Sequence, residues 1–301
     1  MKKNVRVATR QSQLAQWQAD HVISLLSATA PEYQFEKVLF TTQGDRILDR
    51  PLSEIGGKGL FLKELEIALQ NNEADIAVHS LKDIPHQLSE EFVLGSIIER
   101  HNPLDAFVSV DFASLDDLPS GSIVGSSSLR RVYLLRKARP DLIFKNLRGN
   151  INTRLQKLRD GEYHAIILAA AGLERLGLTE LMRGTLDPDL CIPAAGQGVI
   201  CVETRSNDND MVELLERIHH PPTALIAEAE RRFLTVTEGS CRIPVACHIR
   251  PILDSDKYNC RFMLGDADTE KFLVRSENIA ENFLQSRIST IAESIVQELN
   301  G

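Results

Sequence analysis

Residues 122–150 decide the fold, and they read SIVGSSSLRRVYLLRKARPDLIFKNLRGN. The spacing of apolar side chains and the helix-stopping Pro140 predict an alternating order: strand 123–125, helix 129–138, strand 142–147, helix 152–158 and strand 165–169. Strands that alternate with helices in this way are typical of a parallel sheet. The stretch therefore predicts an α/β domain.

The same alternation precedes this stretch and a different pattern follows it. The upstream pattern predicts strands at 5–8, 35–41 and 76–79 and helices at 12–27 and 59–70, with Ser12 as the N-cap of the first helix. After Pro222 the pattern predicts a helix at 224–235, strands at 245–253, 258–264 and 272–275, and a helix at 285–299. We predict two α/β domains and a small C-terminal α+β domain.

Two extended runs, 105–110 and 198–204, are predicted to cross between the α/β domains and to form a hinge. The predicted limits are 1–100 plus 198–218 for the first domain, 101–197 for the second and 219–301 for the third.

Composition excludes several classes of protein. The 301 residues carry a net charge of −8, which argues against nucleic acid as the main partner. The five cysteines are odd in number and have no metal-ligand spacing, so neither a disulfide framework nor a zinc site is indicated. The longest apolar run, 165–173, is too short to cross a bilayer, and the opening residues lack an apolar signal core. We predict a cytoplasmic protein that does not contact membranes.

A basic block lies inside this acidic chain. Between Arg130 and Arg159 the only acidic residue is Asp141, and most of the cations are arginines, which bind carboxylate or phosphate in a bidentate manner. Arg130 and Arg131 fall in the first turn of a predicted helix, where a cation opposes the helix dipole. A bound anion would offset that penalty, so the sequence predicts an anionic small-molecule ligand.

Three further features bear on chemistry. Cys241 lies in a predicted turn beside Arg242, which favours the thiolate, although a packed cysteine is the usual alternative. Asp83 follows a predicted strand and is interpreted either as a turn residue or as a carboxylate that stabilises a cationic intermediate. Lys58 lies in a glycine-rich segment at the start of a predicted helix, where it adds positive potential. The segment does not have the residue spacing of a nucleotide-binding loop.

The chain as a whole resembles the porphobilinogen deaminase family. The resemblance runs from Val5 to about Val245 and rests on these motifs: ATRQS at 8–12, GGKGLF at 56–61, HSLKDIP at 79–85, GSSSLRR at 125–131, LRGN at 147–150, AAGLERLG at 170–177, PAAGQG at 193–198 and GSC at 239–241. The final fifty or so residues are less distinctive.

The resemblance implies two α/β domains like those of type II periplasmic binding proteins, a third domain, and an active site in the cleft between the first two. It also implies a monomeric transferase that deaminates porphobilinogen and joins four units head to tail in tetrapyrrole biosynthesis. The implied cofactor is dipyrromethane, held by a thioether on Cys241, with Asp83 as the catalytic carboxylate.

The remaining site residues are carried over from the same motifs. The cofactor-binding residues implied by the resemblance, besides Cys241 and Asp83, are Ser80, Lys82, Ser126, Ser127, Ser128, Arg130, Arg131 and Arg154. The implied substrate-binding residues are Arg10, Gln18, Lys58, Arg148 and Arg175. Cys247, close to the cofactor loop, is predicted to be packed, and His79 is predicted to be a packed strand residue rather than a base.

Two other functions fit the same lobed fold. One is a two-lobed anion-binding protein without catalysis, which a secretory signal would favour. The other is the effector domain of a transcription regulator, which a helix-turn-helix would favour. Neither feature is present in the sequence. Only the enzyme explains Cys241 together with Asp83.

Overall fold

The computed structural model describes residues 3–46, 61–239 and 243–300. These residues divide into two compact units. The first unit comprises 3–46, 61–101 and Gly198–Leu225, and the second comprises Asn102–Gln197 and 226–300.

The strands in chain order are β1 (Lys3–Arg10), β2 (Tyr33–Phe40), β3 (Ile76–Ser80), β4 (Phe92–Ile97), β5 (Asp105–Val108), β6 (Ile123–Gly125), β7 (Ile143–Lys145), β8 (Ala165–Ala169), β9 (Met182–Thr185), β10 (Ile200–Arg205), β11 (Val245–Pro251), β12 (Lys257–Gly265) and β13 (Phe272–Ala280). The helices are α1 (Gln13–Thr29), α2 (Gln43–Arg46), α3 (Lys63–Gln70), α4 (Leu129–Ala138), α5 (Ile151–Arg159), α6 (Ala170–Arg175), α7 (Asn209–Glu216), α8 (Pro221–Val236) and α9 (Leu284–Asn300).

The first unit is built on a sheet with the strand order β2-β1-β3-β10-β4. β1 pairs in parallel with β2 and β3, whereas β10 runs antiparallel to both β3 and β4. The apolar side chains of α1 pack on this sheet, with Val22 and Leu26 fully buried against Val7. α1 begins as predicted, because Ser12 Oγ accepts a hydrogen bond from the Ala15 amide.

The sheet of the second unit repeats this arrangement. Its order is β7-β6-β8-β5-β9, with β6 parallel to β7 and β8 and with β5 antiparallel to β8 and β9. In each sheet the antiparallel strand, β10 or β5, is one of the two runs predicted to cross between the domains. The carboxyl ends of parallel strands meet at one edge, which positions the turns after β6 and β7 side by side.

The C-terminal part of the second unit is a three-stranded antiparallel sheet, ordered β11-β12-β13. Phe262 of β12 packs on Phe233 of α8, with ring centroids 5.1 Å apart. Ala246 and Met263 join the core that also contains Val124 of the neighbouring α/β sheet. This sheet and its helices confirm the predicted α+β domain, and the fold class is confirmed.

Some elements differ from the sequence prediction. α3 begins at Lys63, later than the predicted residue 59, and β7 is shorter than the predicted 142–147. The elements without a counterpart in the sequence prediction include β4, β9, α2, α6 and α7. The limits predicted for the three domains stay predictions.

Candidate active site

Asp83 lies at the carboxyl end of β3 in the first unit. The buried strand runs directly into a short 3-10 helix, Leu81–Asp83, in which Leu81 is buried and Asp83 is exposed. The Leu81 amide donates to the Val199 carbonyl at 3.0 Å, and the Ile84 amide donates to the Leu81 carbonyl at 3.1 Å. The backbone on both sides of Asp83 is therefore fixed while its carboxylate faces solvent.

Two of the predicted site residues are in direct contact. Gln18, buried on α1, donates from Nε2 to Ser80 Oγ at 2.8 Å, immediately before the segment that carries Asp83. Lys82 lies within that segment and is half-buried. The structure thus brings Gln18, Ser80, Lys82 and Asp83 to one edge of the sheet.

Arg10 is the last residue of β1, the strand beside β3. Because Ala8 pairs with Ala77 in a parallel register, Arg10 reaches the same sheet edge as Ser80. Its guanidinium carbon lies 4.0 Å from the centroid of the Phe61 ring. A cation–π contact of this kind orients the guanidinium.

His79 is packed, as predicted. Its Nε2 lies 3.0 Å from Oε2 of Glu203, a fully buried residue of β10. This contact ties the end of β3 to its antiparallel neighbour. Glu66 of α3 also interacts electrostatically with both residues and with Glu91.

The Glu66 carboxyl gives the first unit a pH-dependent stability. Burial, together with the charge of Glu203, raises the pKa of Glu66 to about 7 from its ordinary 4.5. The folded state therefore binds this proton more tightly than the unfolded state. The resulting stabilisation is present below pH 4.5 and is lost as the pH rises to about 7.

We expect Glu66→Gln to raise the free energy of unfolding at pH 8 by on the order of 1–2 kcal/mol and to change it little at pH 4, since the partial exposure of Glu66 screens the full effect. Urea unfolding at both pH values measures this difference. Glu73→Gln, at an exposed carboxylate just beyond the same helix, is the control and should be neutral at both. An equal effect of Glu66→Gln at pH 4 and pH 8 would contradict the assignment.

In the second unit three serines occupy the turn between β6 and α4. Ser127 Oγ contacts the Leu147 carbonyl and Asn146 Oδ1, each at 2.5 Å, and accepts from the Leu147 amide. Ser126 Oγ accepts from the Ser128 amide at 3.2 Å. Ser127 therefore joins the two neighbouring strand-to-helix turns that the sequence analysis singled out.

Arg130 and Arg131 lie in the first turn of α4, but both are buried and both bind a carboxylate of the protein itself. Nη1 of Arg130 and Nη2 of Arg131 each lie 2.6 Å from a carboxylate oxygen of Asp105, the first residue of β5. Asp105 therefore offsets part of the unfavourable interaction between these two cations and the helix dipole. Asp105 was missed by the sequence analysis, and its only signal is a lone acidic residue at the head of an apolar run.

The other arginines differ in their surroundings. Arg148 is buried, and burial lowers the pKa of its guanidinium. Arg154 Nε donates to the Gly149 carbonyl at 2.8 Å, which holds the side chain back along its own turn. Burial lowers the pKa of Arg175 to about 10, so this side chain stays charged at neutral pH. Arg159 is exposed at the C-terminal end of α5, where it forms an ion pair with Glu180.

A family model described as "Porphobilinogen deaminase, dipyromethane cofactor binding domain" matches residues 5–213, which is more than half of the chain. The chain belongs to the porphobilinogen deaminase family. This match confirms the resemblance seen in the sequence motifs. The matched residues include the β3 segment with Asp83 and both serine- and arginine-rich turns.

Solved structures give more distant likenesses. The periplasmic VFT2 domain of BvgS from Bordetella pertussis is 16% identical, with 76% of this chain and 90% of that chain covered and a TM-score of 0.43. A TRAP periplasmic solute binding protein from Desulfovibrio salexigens is 12% identical, with 78% and 76% covered and a TM-score of 0.43. The assignment of the fold rests on strand order rather than on these likenesses.

Two of the predicted residues, Cys241 and Lys58, lie outside the described residues. The described cysteines, Cys191, Cys201, Cys247 and Cys260, are all buried. Burial raises the pKa of Cys191 and of Cys260 to about 12, so these two thiols are poor nucleophiles at neutral pH. The prediction that Cys247 is packed is confirmed.

The first-turn arginines of α4 are of a type that could hold a ligand with carboxylate groups. Arg130 and Arg131 share one internal carboxylate, which leaves one positive charge of the pair unbalanced in that contact. Among the described residues, no group of three or more His, Cys, Asp or Glu side chains is arranged to hold a metal ion. In the same part of the chain, no helix combines the length and apolarity needed to cross a bilayer.

Proposed function

We propose that this protein is a hydroxymethylbilane synthase, a transferase that deaminates porphobilinogen and joins four units head to tail in tetrapyrrole and heme biosynthesis. Family membership supports the general function. The observation that carries the specific reaction is the exposed Asp83 carboxylate, held at the end of a buried strand next to Ser80 and Lys82.

The chemistry of the substrate calls for a fixed negative charge. Loss of ammonia from porphobilinogen leaves positive charge on the pyrrole ring, and a carboxylate that is already in place stabilises such charge without reorganisation. The hydrogen bonds of Leu81 and Ser80 hold the Asp83 segment in place. We assign Asp83 as the residue that stabilises the pyrrole cation and assists proton transfer.

We propose that the cofactor is dipyrromethane, attached through a thioether to Cys241. When bound, it supplies the primer on which the chain of four units is built. Its acetate and propionate groups are carboxylates, and the arginines, lysine and serines carried over from the family donate hydrogen bonds and supply positive charge to such groups. The cofactor-binding residues are Ser80, Lys82, Asp83, Ser126, Ser127, Ser128, Arg130, Arg131 and Arg154.

We assign substrate binding to Arg10, Gln18, Lys58, Arg148 and Arg175. Arginines bind planar carboxylates in a bidentate manner, and the oriented guanidinium of Arg10 and the buried one of Arg148 are suited to this. Gln18 already donates to Ser80, which fixes its amide beside the Asp83 segment. The monomeric state and cytoplasmic location stay predictions from the sequence and the family.

Intact mass of the purified full-length chain tests this function. We expect an excess over the polypeptide mass equal to two pyrrole units, and we expect the excess to grow by further whole units when porphobilinogen is added. Bovine serum albumin incubated with porphobilinogen under the same conditions controls for adventitious addition. The bare polypeptide mass under all conditions would instead favour a binding protein without catalysis.

A further inference from the structure

Asp105 is a fully buried carboxylate at the centre of a cluster of polar side chains. Arg130 Nη1 donates to Asp105 Oδ2 at 2.6 Å, and Arg131 donates to Oδ1 from Nη2 at 2.6 Å and from Nε at 3.0 Å. Gln197 Nε2 donates to Oδ1 at 2.9 Å, and Cys191 Sγ donates to Oδ2 at 3.3 Å. One carboxylate therefore holds both guanidinium groups.

The charges in this cluster do not cancel. Burial disfavours the charged form of Asp105, but the adjacent Arg130 and Arg131 outweigh it and hold the pKa of the carboxyl well below its ordinary value. Cys191 stays a neutral thiol, since burial raises its pKa to about 12. Two cations and one anion leave one net positive charge.

Among the described residues, some N–H protons of the two guanidinium groups have no hydrogen-bond acceptor. Nη1 of Arg130 donates to Asp105 and to the Ile192 carbonyl, and Nη1 of Arg131 donates to the Ile167 carbonyl. Each terminal nitrogen carries two protons. In the part of the chain that the structure describes, the contacts of Arg131 use one proton on each of its two terminal nitrogens. The orientation set by Asp105 thus decides where the remaining donors point.

A turn of the backbone links this cluster to helix α8. Gln197, which contacts Asp105, is preceded by Gly196, whose amide donates to Glu230 Oε2 on α8 at 2.7 Å. The other oxygen of Glu230 accepts from the Ile249 amide of β11 at 2.9 Å. α8 ends at Val236, five residues before Cys241 in the sequence. Hydrogen bonds made by Gln197 and Gly196 therefore connect Asp105 to the helix that precedes the proposed cofactor cysteine.

We propose that Asp105 is a positioning residue for cofactor attachment: it orients Arg130 and Arg131 and cancels one of their two charges, which leaves the pair to bind one carboxylate of the cofactor. This inference rests on the proposed function, because it takes the dipyrromethane as the ligand. Asp105 acts through the arginines and does not itself contact the ligand.

Two substitutions separate the two parts of this role. Asp105→Asn keeps the shape of the side chain and removes its charge, whereas Asp105→Glu keeps the charge and moves the carboxylate by one methylene. Each variant is prepared as full-length apoprotein in cells that make no porphobilinogen. The rate at which the folded protein then gains the mass of two pyrrole units is measured after porphobilinogen is added.

We expect the attachment rate to fall at least tenfold in Asp105→Asn and severalfold in Asp105→Glu. Asp75 provides the matched control, since it also lies between two arginines: its Oδ1 is 2.7 Å from Nη2 of Arg6 and 3.8 Å from Nη2 of Arg205. It belongs to the first unit and immediately precedes β3. Asp75→Asn and Asp75→Glu should lower the melting temperature and leave the attachment rate unchanged.

A double-mutant cycle tests whether Asp105 acts through Arg131. If it does, Asp105→Asn lowers the attachment rate less in an Arg131→Gln background than in the wild type, whereas independent residues give multiplying effects. Multiplying effects, or a wild-type rate in folded Asp105→Glu, overturn the inference. If Asp105→Asn does not fold, the inference is tested with Asp105→Glu and with a double-mutant cycle of Asp105→Glu and Arg131→Gln. Absence of the adduct from wild-type protein would instead refute the proposed function.

Discussion

Cys241→Ser is expected to yield folded protein that lacks the covalent cofactor and has no measurable turnover. A serine hydroxyl is a far poorer nucleophile than a thiolate at neutral pH, so the thioether cannot form at this position. Intact mass should equal that of the bare polypeptide, and peptide mapping of the wild type should place the adduct on Cys241.

Cys247→Ser is the matched control, because Cys247 lies six residues further on and is fully buried in β11. We expect this variant to keep the adduct and full turnover, with a loss of stability of about 1–2 kcal/mol from placing a hydroxyl at a buried position. An adduct on Cys247, or an active Cys241→Ser protein, would show that the cofactor cysteine has been wrongly assigned.

Asp83→Asn is expected to leave folding and cofactor attachment largely intact and to lower turnover by on the order of 100-fold or more. The substitution removes the charge that we propose stabilises the pyrrole cation, but it keeps the size of the side chain. Asp83→Glu should retain more activity, since it keeps the carboxylate and loses only its placement. Single-turnover deamination by the holo forms, each checked by mass, measures both effects.

Asp111→Asn, at another exposed aspartate, controls for surface charge and should turn over like the wild type. The exposed position of Asp83 means that its loss removes few packing contacts, so a change in turnover can be attributed to chemistry. If holo Asp83→Asn keeps wild-type turnover, Asp83 is only a turn residue.

Elements with local sequence signals could be predicted closely. The helix predicted at 129–138 matches α4 at both ends, because the glycine and serines before it and Pro140 after it mark its limits within the sequence itself. β8 also has its predicted bounds, since a continuous apolar run defines it. The N-cap of α1 was predicted from Ser12 for the same reason.

Elements that depend on distant partners could not be predicted in this way. β4 contains Gly95 and Ser96, which break its apolar pattern, and it forms a strand because it pairs with β10. Asp105 shows the same limitation for the site. The sequence indicated that Arg130 and Arg131 need an anion, but their internal partner lies 25 and 26 residues away, and only the fold brings it to them.

The order of the strands along the chain also sets an order for folding during synthesis. β5 to β9 are contiguous in the chain, so the whole second sheet can form once Thr185 has left the ribosome. The first sheet cannot be completed then, because β10 separates β3 from β4 and is made only afterwards. Until then β3 exposes an unpaired edge, which is a point of aggregation risk in a nascent chain. The strand that leads to Asp83 is thus among the last to be fully paired.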